Sequence, residues 1–193
     1  MTDRPWEAQP TGQAAIAVDR IAQSLPRIAT ARCVMRGPYI EDFDIYADIV
    51  TSDRGRFVSQ QRTRDGAWDD FLQLTASWIL RGAGLWTVEL QRDKSVVGFV
   101  LLGHETGDPE PELSFFFTAD GEGQGYAFEC ATSARNNAYY ALSWDSLVSY
   151  IEPGNDRAIA LATRLGAHHD ASADFDGTLA YRHPRPEPQD FGA

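Results

Sequence analysis

The feature that most constrains this chain is a strand that runs through a glycine-rich loop directly into a helix. Residues 112–118 alternate in character as a strand does, glycines follow at 121, 123 and 125, and a helical pattern begins at Tyr126. Glycines allow backbone N–H groups to turn inward, and a helix N-terminus adds unpaired donors and a partial positive charge. The combination predicts a cradle for an anion, most naturally a phosphate or pyrophosphate.

Two familiar phosphate-binding loops do not fit this segment. A P-loop requires Gly-Lys-Ser/Thr, which the sequence lacks. The dinucleotide fingerprint GxGxxG would require a glycine at the position of Phe128. Taken alone, the glycines are also compatible with a plain turn at the start of a helix.

Hydrophobic periodicity predicts a mixed α/β (α+β) domain around this segment. We predict strands at 28–35, 86–91, 96–102, 112–118, 147–151 and 178–182, and helices at 42–49, 68–80, 126–140 and 155–165. Helices before and after a meander of strands indicate one sheet flanked by helices. We expect an N-terminal arm or docking helix at 1–26, a single domain at 27–183 and a loose proline-rich tail at 184–193.

Composition restricts the classes of partner. The chain has 193 residues, 43% of them hydrophobic, which is enough for a core, and 28 acidic against 17 basic side chains give a net charge of −11. Such a charge argues against binding to nucleic acid or an anionic membrane. No apolar run approaches the ~20 residues of a membrane span, and the N-terminal residues do not resemble a signal peptide. We expect a cytoplasmic protein that is a monomer or homodimer.

Neither the cysteines nor the histidines indicate a metal site. Cys33 and Cys130 are far apart and belong to no CxxC or Cys/His cluster, so reduced thiols are expected rather than a disulfide scaffold or zinc ribbon. His168 and His169 are adjacent, and on an extended segment their side chains point to opposite faces. We predict a solvated loop there and no bound metal.

Several segments together resemble the GNAT superfamily of acetyl-coenzyme-A-dependent N-acetyltransferases, and within it the branch of the ribosomal-protein-alanine acetyltransferases. The residues that carry the resemblance are Glu112-Leu113-Ser114-Phe115, then Gly123-Gln124-Gly125-Tyr126-Ala127-Phe128-Glu129-Cys130, and Asn155-Asp156-Arg157-Ala158. The segment Ile28-Ala29-Thr30-Ala31-Arg32 resembles the family's opening threonine-x-arginine strand. The likeness extends from residue 28 to the final strand.

This resemblance implies the GNAT fold, a mostly antiparallel sheet that splays open after the strand at 112–118. Acetyl-coenzyme A would be the co-substrate, with its pantetheine arm bound as a false strand in the gap. The implied ligands are the backbone of Phe116, Phe117 and Thr118, the pyrophosphate loop formed by Gly121, Glu122, Gly123, Gln124, Gly125 and Tyr126, and the later pair Asn155 and Ala158. The acceptor would be a small-molecule or peptide amine.

For catalysis the resemblance points to Glu112 as the base that takes a proton from the amine, directly or through water. The other interpretation is a solvated or salt-bridged acid at the end of a strand. Asn155 would steady the cofactor arm or cap a helix, and both roles are compatible. The position at which other GNAT enzymes have a tyrosine as general acid is Ala162 in this sequence. The general acid is therefore unassigned, and the candidates are Ser143, Tyr139 and Tyr181.

Departures from the family pattern leave other functions open. Asp120 and Glu122 place negative charge beside the phosphate cradle, and Ala158 replaces the serine of the family's N-x-x-S. Each anion would oppose phosphate binding by about 1 kcal/mol if solvated. The alternatives are therefore a catalytically degenerate acyl-coenzyme-A sensor of the same fold and an unrelated nucleotide-binding module.

Overall fold

The computed structural model describes residues 4–58 and 62–187. The helices are α1 (Gly12–Ser24), α2 (Phe43–Thr51), α3 (Arg64–Arg81), α4 (Tyr126–Asn136) and α5 (Asp156–Arg164). The strands are β1 (Ile28–Ala29), β2 (Cys33–Arg36), β3 (Leu85–Leu90), β4 (Val96–Gly103), β5 (Glu112–Phe117), β6 (Val148–Ile151), β7 (His168–His169) and β8 (Leu179–Arg182). No helix within these ranges combines the length and apolar character needed to cross a membrane.

All eight strands belong to one sheet in the order β1-β2-β3-β4-β5-β6-β8-β7. Neighbouring strands are antiparallel except β5 and β6, which run parallel. Six residue pairs join β4 to β5, from Gly98↔Phe117 to Gly103↔Glu112. Across the parallel junction the register contains one pair, Glu112↔Val148. The sheet is therefore continuous at one end of β5 and open at the other.

Helices cover both faces of the sheet, and each face has its own core. On one face α2 and α3 pack against the central strands through aromatic rings, with Tyr46 contacting Phe99 and Phe116 at centroid distances of 5.3 and 5.5 Å. On the other face α4 packs closely because its sheet-facing side chains are small. These fully buried residues are Ala131 and Ala134, and the buried Ala138 follows them in the turn after α4.

The predicted helices and strands are present, but their bounds and burial differ from the prediction where contacts between distant residues determine them. The strand predicted at 28–35 is two short strands, because the chain turns between them and Thr30 hydrogen-bonds the Cys33 backbone in both directions, at 3.0 and 3.1 Å. The strand predicted to be half-buried, β3, is buried on both faces. Its Thr87 is fully buried and donates to Asp42 at 2.8 Å.

Two further differences lie at the ends of the predicted elements. The helix predicted to reach 140 changes to a π-helical turn over Asn137–Ala141. His168 and His169, predicted in a loop, form the exposed edge strand β7 against β8. A two-residue edge strand carries no hydrophobic alternation, which is why the sequence pattern does not reveal it.

The regions predicted to flank the domain contain some structure. The predicted docking helix corresponds to α1, which buries none of its residues and leaves Ile16 and Ile21 exposed. The described part of the predicted tail contacts the domain, because Tyr140 donates to the Pro186 carbonyl and Arg185 lies over the Tyr139 ring. Residues 1–3 of the arm and 188–193 of the tail lie outside the described residues.

Two glycines on β4 give a direct test of the central packing. A Cβ on Gly98 would lie 2.5 Å from the Phe117 ring and 2.7 Å from the Phe116 carbonyl, whereas the nearest atom to a Cβ on Gly103 is 3.9 Å away. We expect Gly98→Ala to lower the free energy of unfolding by about 1–3 kcal/mol, because overpacking displaces β5. Gly103→Ala should change it by less than about 0.5 kcal/mol. Urea unfolding of both variants measures the difference, and equal effects would contradict this description of the sheet.

Candidate functional site

The gap between β5 and β6 begins where side chains replace backbone hydrogen bonds. The Val148 N–H donates to the Pro111 carbonyl at 3.0 Å, so the parallel ladder starts normally. The next bond that β6 donates in such a ladder would join the Tyr150 N–H to the Leu113 carbonyl. Instead the Tyr150 N–H donates to the Glu112 carboxylate at 3.2 Å, and the Leu113 carbonyl accepts from the Ser149 hydroxyl at 2.5 Å. The two strands are then free to diverge.

The direction of the β5 backbone groups follows from these bonds. The Leu113 carbonyl points towards β6, whereas the Thr118 N–H donates to the Val97 carbonyl on the opposite side at 2.9 Å. Backbone groups alternate between the two edges of a strand, so those of Phe115 and Phe117 face the gap. By the same alternation the backbone groups of Phe116 face β4, and the Thr118 N–H is committed to Val97. Of the three predicted backbone ligands, Phe117 alone therefore faces the gap.

The gap opens into a groove of about 660 Å³ between the glycine loop, β5, α5 and the end of α2. It contains eight of the predicted cofactor-binding residues: Phe116, Phe117, Gly121, Glu122, Gly123, Gly125, Asn155 and Ala158. The other three predicted ligands lie against a second cavity, also about 660 Å³, beside the ends of β3 and β4. These three are Thr118, Gln124 and Tyr126.

Two glycines in the loop are required by its geometry. A Cβ on Gly121 would lie 2.5 Å from the Val97 carbonyl, so only glycine fits against β4 there. Gly125 is the N-cap of α4 and has a φ of +81°. Residues with a Cβ adopt this left-handed backbone conformation only at a cost in free energy. The loop is thereby pressed onto the end of the sheet.

A half-buried carboxylate fixes the first turn of α4 to the β1–β2 turn. Glu129 accepts hydrogen bonds from the Thr30 hydroxyl at 2.5 Å, the Arg32 N–H at 2.7 Å and the Arg32 guanidinium at 2.8 Å. These bonds outweigh desolvation and lower the pKa of Glu129. Arg32 also donates to the Gln124 carbonyl at 3.0 Å and lies 4.6 Å over the Tyr126 ring. The threonine, arginine and glutamate that carried the family resemblance therefore meet and hold the glycine loop.

The acidic residue within the loop is neutralised by two arginines. Glu122 pairs with Arg54 at 2.6 Å and with Arg157 at 2.5 Å. Desolvation opposes ionisation of Glu122, but the arginines outweigh it and lower its pKa. Asp120 lies apart from the groove and lines the second cavity. The carboxylates of the loop therefore repel a phosphate less than the sequence alone suggests.

Sequence reasoning missed the arginines of this site. Arg54, Arg56 and Arg157 all line the groove. Arg157 was visible beside Asn155 at a predicted helix start, a position that favours contact with an anion. Arg54 gave no such indication, because it lies in a short 3₁₀ helix, Asp53–Phe57, that is 68 residues from its partner Glu122.

Asn155 has the capping role that its sequence position predicts. Its side-chain oxygen accepts a hydrogen bond from the Ala158 N–H at 3.2 Å at the start of α5. Both residues lie against the groove, so the cap also places the first turn of α5 at the groove wall. A role in holding the cofactor arm is compatible with this contact.

Glu112 is buried at the closed end of the gap, on the α2 and α3 face of β5. Its residue exposure is 7%, and its hydrogen bond comes from the Tyr150 N–H. Desolvation, followed by the charges of Glu105 and Asp108, raises its pKa well above the ordinary value. The other interpretation, a solvated or salt-bridged acid at a strand end, does not match this environment.

The guessed general acids have other roles in this structure. Tyr139 donates its hydroxyl proton to the His183 carbonyl at 2.5 Å. Tyr181 stacks on His169 at the far edge of the sheet, and Ser143 occupies a left-handed turn with a φ of +56°. None of the three lines the groove. The general acid therefore remains unassigned.

Comparison with known proteins agrees with this geometry. Residues 32–168 match the family described as "Acetyltransferase (GNAT) domain". An acetyltransferase structure from Agrobacterium tumefaciens str. C58 is 31% identical, with 83% of this chain and 95% of that chain covered and a TM-score of 0.80.

Two more distant structures show the same fold. A ribosomal-protein-S5-alanine acetyltransferase from Vibrio fischeri is 11% identical, with a TM-score of 0.62 over 81% of this chain and 95% of that one. A ribosomal L7/L12 alpha-N-protein acetyltransferase in complex with coenzyme A is 10% identical, with a TM-score of 0.67 over 82% and 97% of the two chains.

The splayed sheet, the glycine loop at the start of α4 and the family match over most of the chain lead to one conclusion. This chain has the GNAT fold and belongs to the GNAT family of acetyltransferases, which use acetyl-coenzyme A as acyl donor.

Proposed function

We propose that this acetyltransferase transfers the acetyl group of acetyl-coenzyme A to a primary amine by direct attack of the amine on the thioester. The acceptor is a protein N-terminus, an amino acid or a small amine. The observation that carries the proposal is a buried carboxyl group of raised pKa, Glu112, at the point where β5 and β6 separate. Such a group can remove the proton that an ammonium must lose before it attacks.

The groove supports the proposed position of the donor. The backbone groups of Phe115 and Phe117 that face the gap provide an edge to which an amide-containing arm can bond as a strand would. The glycine loop and the start of α4 would hold the pyrophosphate. The residues proposed to bind the co-substrate are Phe115, Phe116, Phe117, Gly121, Gly123, Gly125, Asn155 and Ala158.

The opposite face of β5 supports an amine acceptor. A small cavity there is lined by Ser114 and Phe116 of β5 and by the carboxylates Asp70 and Glu105. Although Glu105 is exposed as a residue, desolvation at its carboxyl group, together with Asp108 and Asp70, raises its pKa to about 7. A negative potential next to Glu112 favours a cationic ammonium over an anionic acceptor.

The cysteines support a reducing, cytoplasmic environment for the proposed reaction. Cys33 and Cys130 are both free and buried, and burial raises the pKa of each thiol. Neither thiol has the exposed, electropositive surroundings of a reactive cysteine. The proposal therefore involves no acyl-cysteine intermediate, and the amine attacks the thioester directly.

Replacement of the proposed base tests the reaction. We expect Glu112→Gln to lower kcat by about 10²–10⁴-fold, because the amide cannot accept the ammonium proton. Affinity for coenzyme A should be unchanged, since Glu112 does not line the groove. Release of free thiol from acetyl-coenzyme A with a panel of primary amines measures the rate, and calorimetry measures affinity.

The control for this test is Glu105→Gln, which removes a neighbouring carboxylate of raised pKa. Its effect on kcat should be less than about tenfold. A larger loss in Glu105→Gln than in Glu112→Gln would contradict the assignment of the base. Binding of acetyl-coenzyme A with no turnover for any amine would instead favour the acyl-coenzyme-A sensor.

The same carboxyl group predicts a pH-dependent stability difference. Because the folded protein holds the pKa of Glu112 above its unfolded value, the protonated form favours folding below about pH 4.3, and this contribution is lost as the pH rises towards the folded pKa. A Gln side chain at this position is neutral at every pH, so it makes no pH-dependent contribution. We expect Glu112→Gln to match the wild type near pH 4 and to exceed it by about 1–3 kcal/mol at pH 8, in urea unfolding at each pH.

Glu110 provides a control of opposite sign two residues away. Hydrogen bonds from Arg182 and Ser146 lower its pKa to about 2, so its contribution is present above the unfolded pKa and is lost as the pH falls. Glu110→Gln should therefore be less stable than the wild type at pH 8. A Glu112→Gln variant that behaves like Glu110→Gln would contradict the buried, desolvated environment of the Glu112 carboxyl group.

A further inference from the structure

Three arginines line a groove in a chain whose net charge is −11. Arg54 and Arg56 come from the 3₁₀ helix after α2, and Arg157 comes from the first turn of α5. Coenzyme A carries a pyrophosphate and a 3′-phosphate, and guanidinium groups bind phosphate in the same forked geometry that they use for carboxylate. Three of the 17 basic side chains of this acidic protein thus line the groove in which we place an anionic ligand.

A single carboxylate connects two of these arginines across the groove. One oxygen of Glu122 pairs with Arg54 at 2.6 Å, and the other pairs with Arg157 at 2.5 Å. Glu122 itself lies in the glycine loop, between Gly121 and Gly123. The carboxylate therefore has the charge and the arginine partners that a bound phosphate would have.

The backbones that carry the two arginines are held firmly. A Cβ on Gly55 would lie 2.1 Å from the Val50 carbonyl, so the 3₁₀ helix packs tightly against the end of α2. The Ser52 hydroxyl accepts from the Arg54 N–H at 3.2 Å. The Asn155 cap fixes the turn that carries Arg157. The guanidinium groups remain accessible, because the side chains of Arg54 and Arg157 are 39% and 71% exposed.

We propose that Glu122 is a built-in substitute anion, and that Arg54 and Arg157 exchange it for the phosphate groups of coenzyme A when the co-substrate binds. The inference rests on the proposed position of acetyl-coenzyme A in this groove. It assigns two cationic ligands, one from the 3₁₀ helix after α2 and one from α5, in addition to the backbone of the glycine loop. Until coenzyme A arrives, Glu122 keeps the two guanidinium groups from repelling each other.

Substitutions at the three positions have opposite expected effects on affinity. Arg54→Ala and Arg157→Ala should each weaken coenzyme A binding by about 10-fold, because each removes a charge-assisted contact to phosphate. Glu122→Gln should strengthen binding by about 3- to 10-fold, because the phosphates no longer compete with a carboxylate. Calorimetric titration of the full chain with coenzyme A measures all three.

Ligand and variant controls isolate the phosphate contacts. Pantetheine lacks all the phosphates, and its effect on thermal stability should be the same in all four proteins. Dephospho-coenzyme A separates the two phosphate sources, because an arginine that binds the 3′-phosphate loses its effect with this ligand. Arg164→Ala removes the same charge from α5, where Arg164 lies over the Phe128 ring away from the groove, and should leave the affinity within about twofold.

Several results would overturn the inference. Weaker coenzyme A binding in Glu122→Gln would mean that the carboxylate supports the site instead of competing with the ligand. Unchanged affinity in both arginine variants, or an equal loss in Arg164→Ala, would mean that the two arginines make no specific phosphate contact. Failure of the wild-type protein to bind coenzyme A would overturn the proposed function as well. Normal binding by the wild type with unchanged affinity in the variants would overturn only the exchange of Glu122 for phosphate.

Discussion

Parallel strands that separate after one residue pair leave backbone donors and acceptors that must find other partners. In this protein the partners at the point of separation are the side chains of Glu112 and Ser149. Ser149 is supported in turn by His183, whose Nε2 lies 2.9 Å from the hydroxyl and whose pKa burial lowers to about 4. A neutral imidazole therefore contacts the Ser149 hydroxyl at this junction. The groove, the exposed edge of β5 and the position of the proposed base all depend on this junction.

The same carboxyl group thus has a structural and a proposed chemical role. Its hydrogen bond to the Tyr150 N–H ends the parallel ladder, while its burial raises its pKa. Ionisation of Glu112 in this position opposes folding, because the buried charge loses its solvation. The energetic cost of a buried carboxyl is compatible with a site that needs a base.

The distribution of charge matters more for this protein than its total. A net charge of −11 suggested a poor environment for phosphate, and Asp120 and Glu122 place part of that charge in the glycine loop. In the folded chain Glu122 is paired with Arg54 and Arg157, and the other acidic loop residue, Asp120, lies against a separate cavity. On the other face of β5 the carboxylates around Glu105 remain clustered. The groove face of β5 thus carries arginines, and the opposite face carries the carboxyl groups near Glu105.

Local sequence patterns predicted the elements but not the contacts that complete the site. The period of apolar residues located α3 and β4, and the glycines of 121–125 located the loop, because these features depend on neighbours in sequence. Ser149 and Arg54 could not be predicted in this way, since their partners Leu113 and Glu122 are 36 and 68 residues away. The pairing of Glu129 with Thr30 and Arg32 likewise joins residues 99 and 97 positions apart, which no local pattern relates.

Hydrogen exchange at single amides tests the central claim most directly, because it requires no knowledge of the acceptor. If the gap between β5 and β6 binds acetyl-coenzyme A along the strand edge, saturating coenzyme A should slow exchange of the Phe115 and Phe117 amides by tenfold or more. The Thr118 amide, which already donates to Val97, should change little beyond any global stabilisation. Unchanged exchange at Phe115 and Phe117, with protection confined to the cavity beside β3 and β4, would contradict the account.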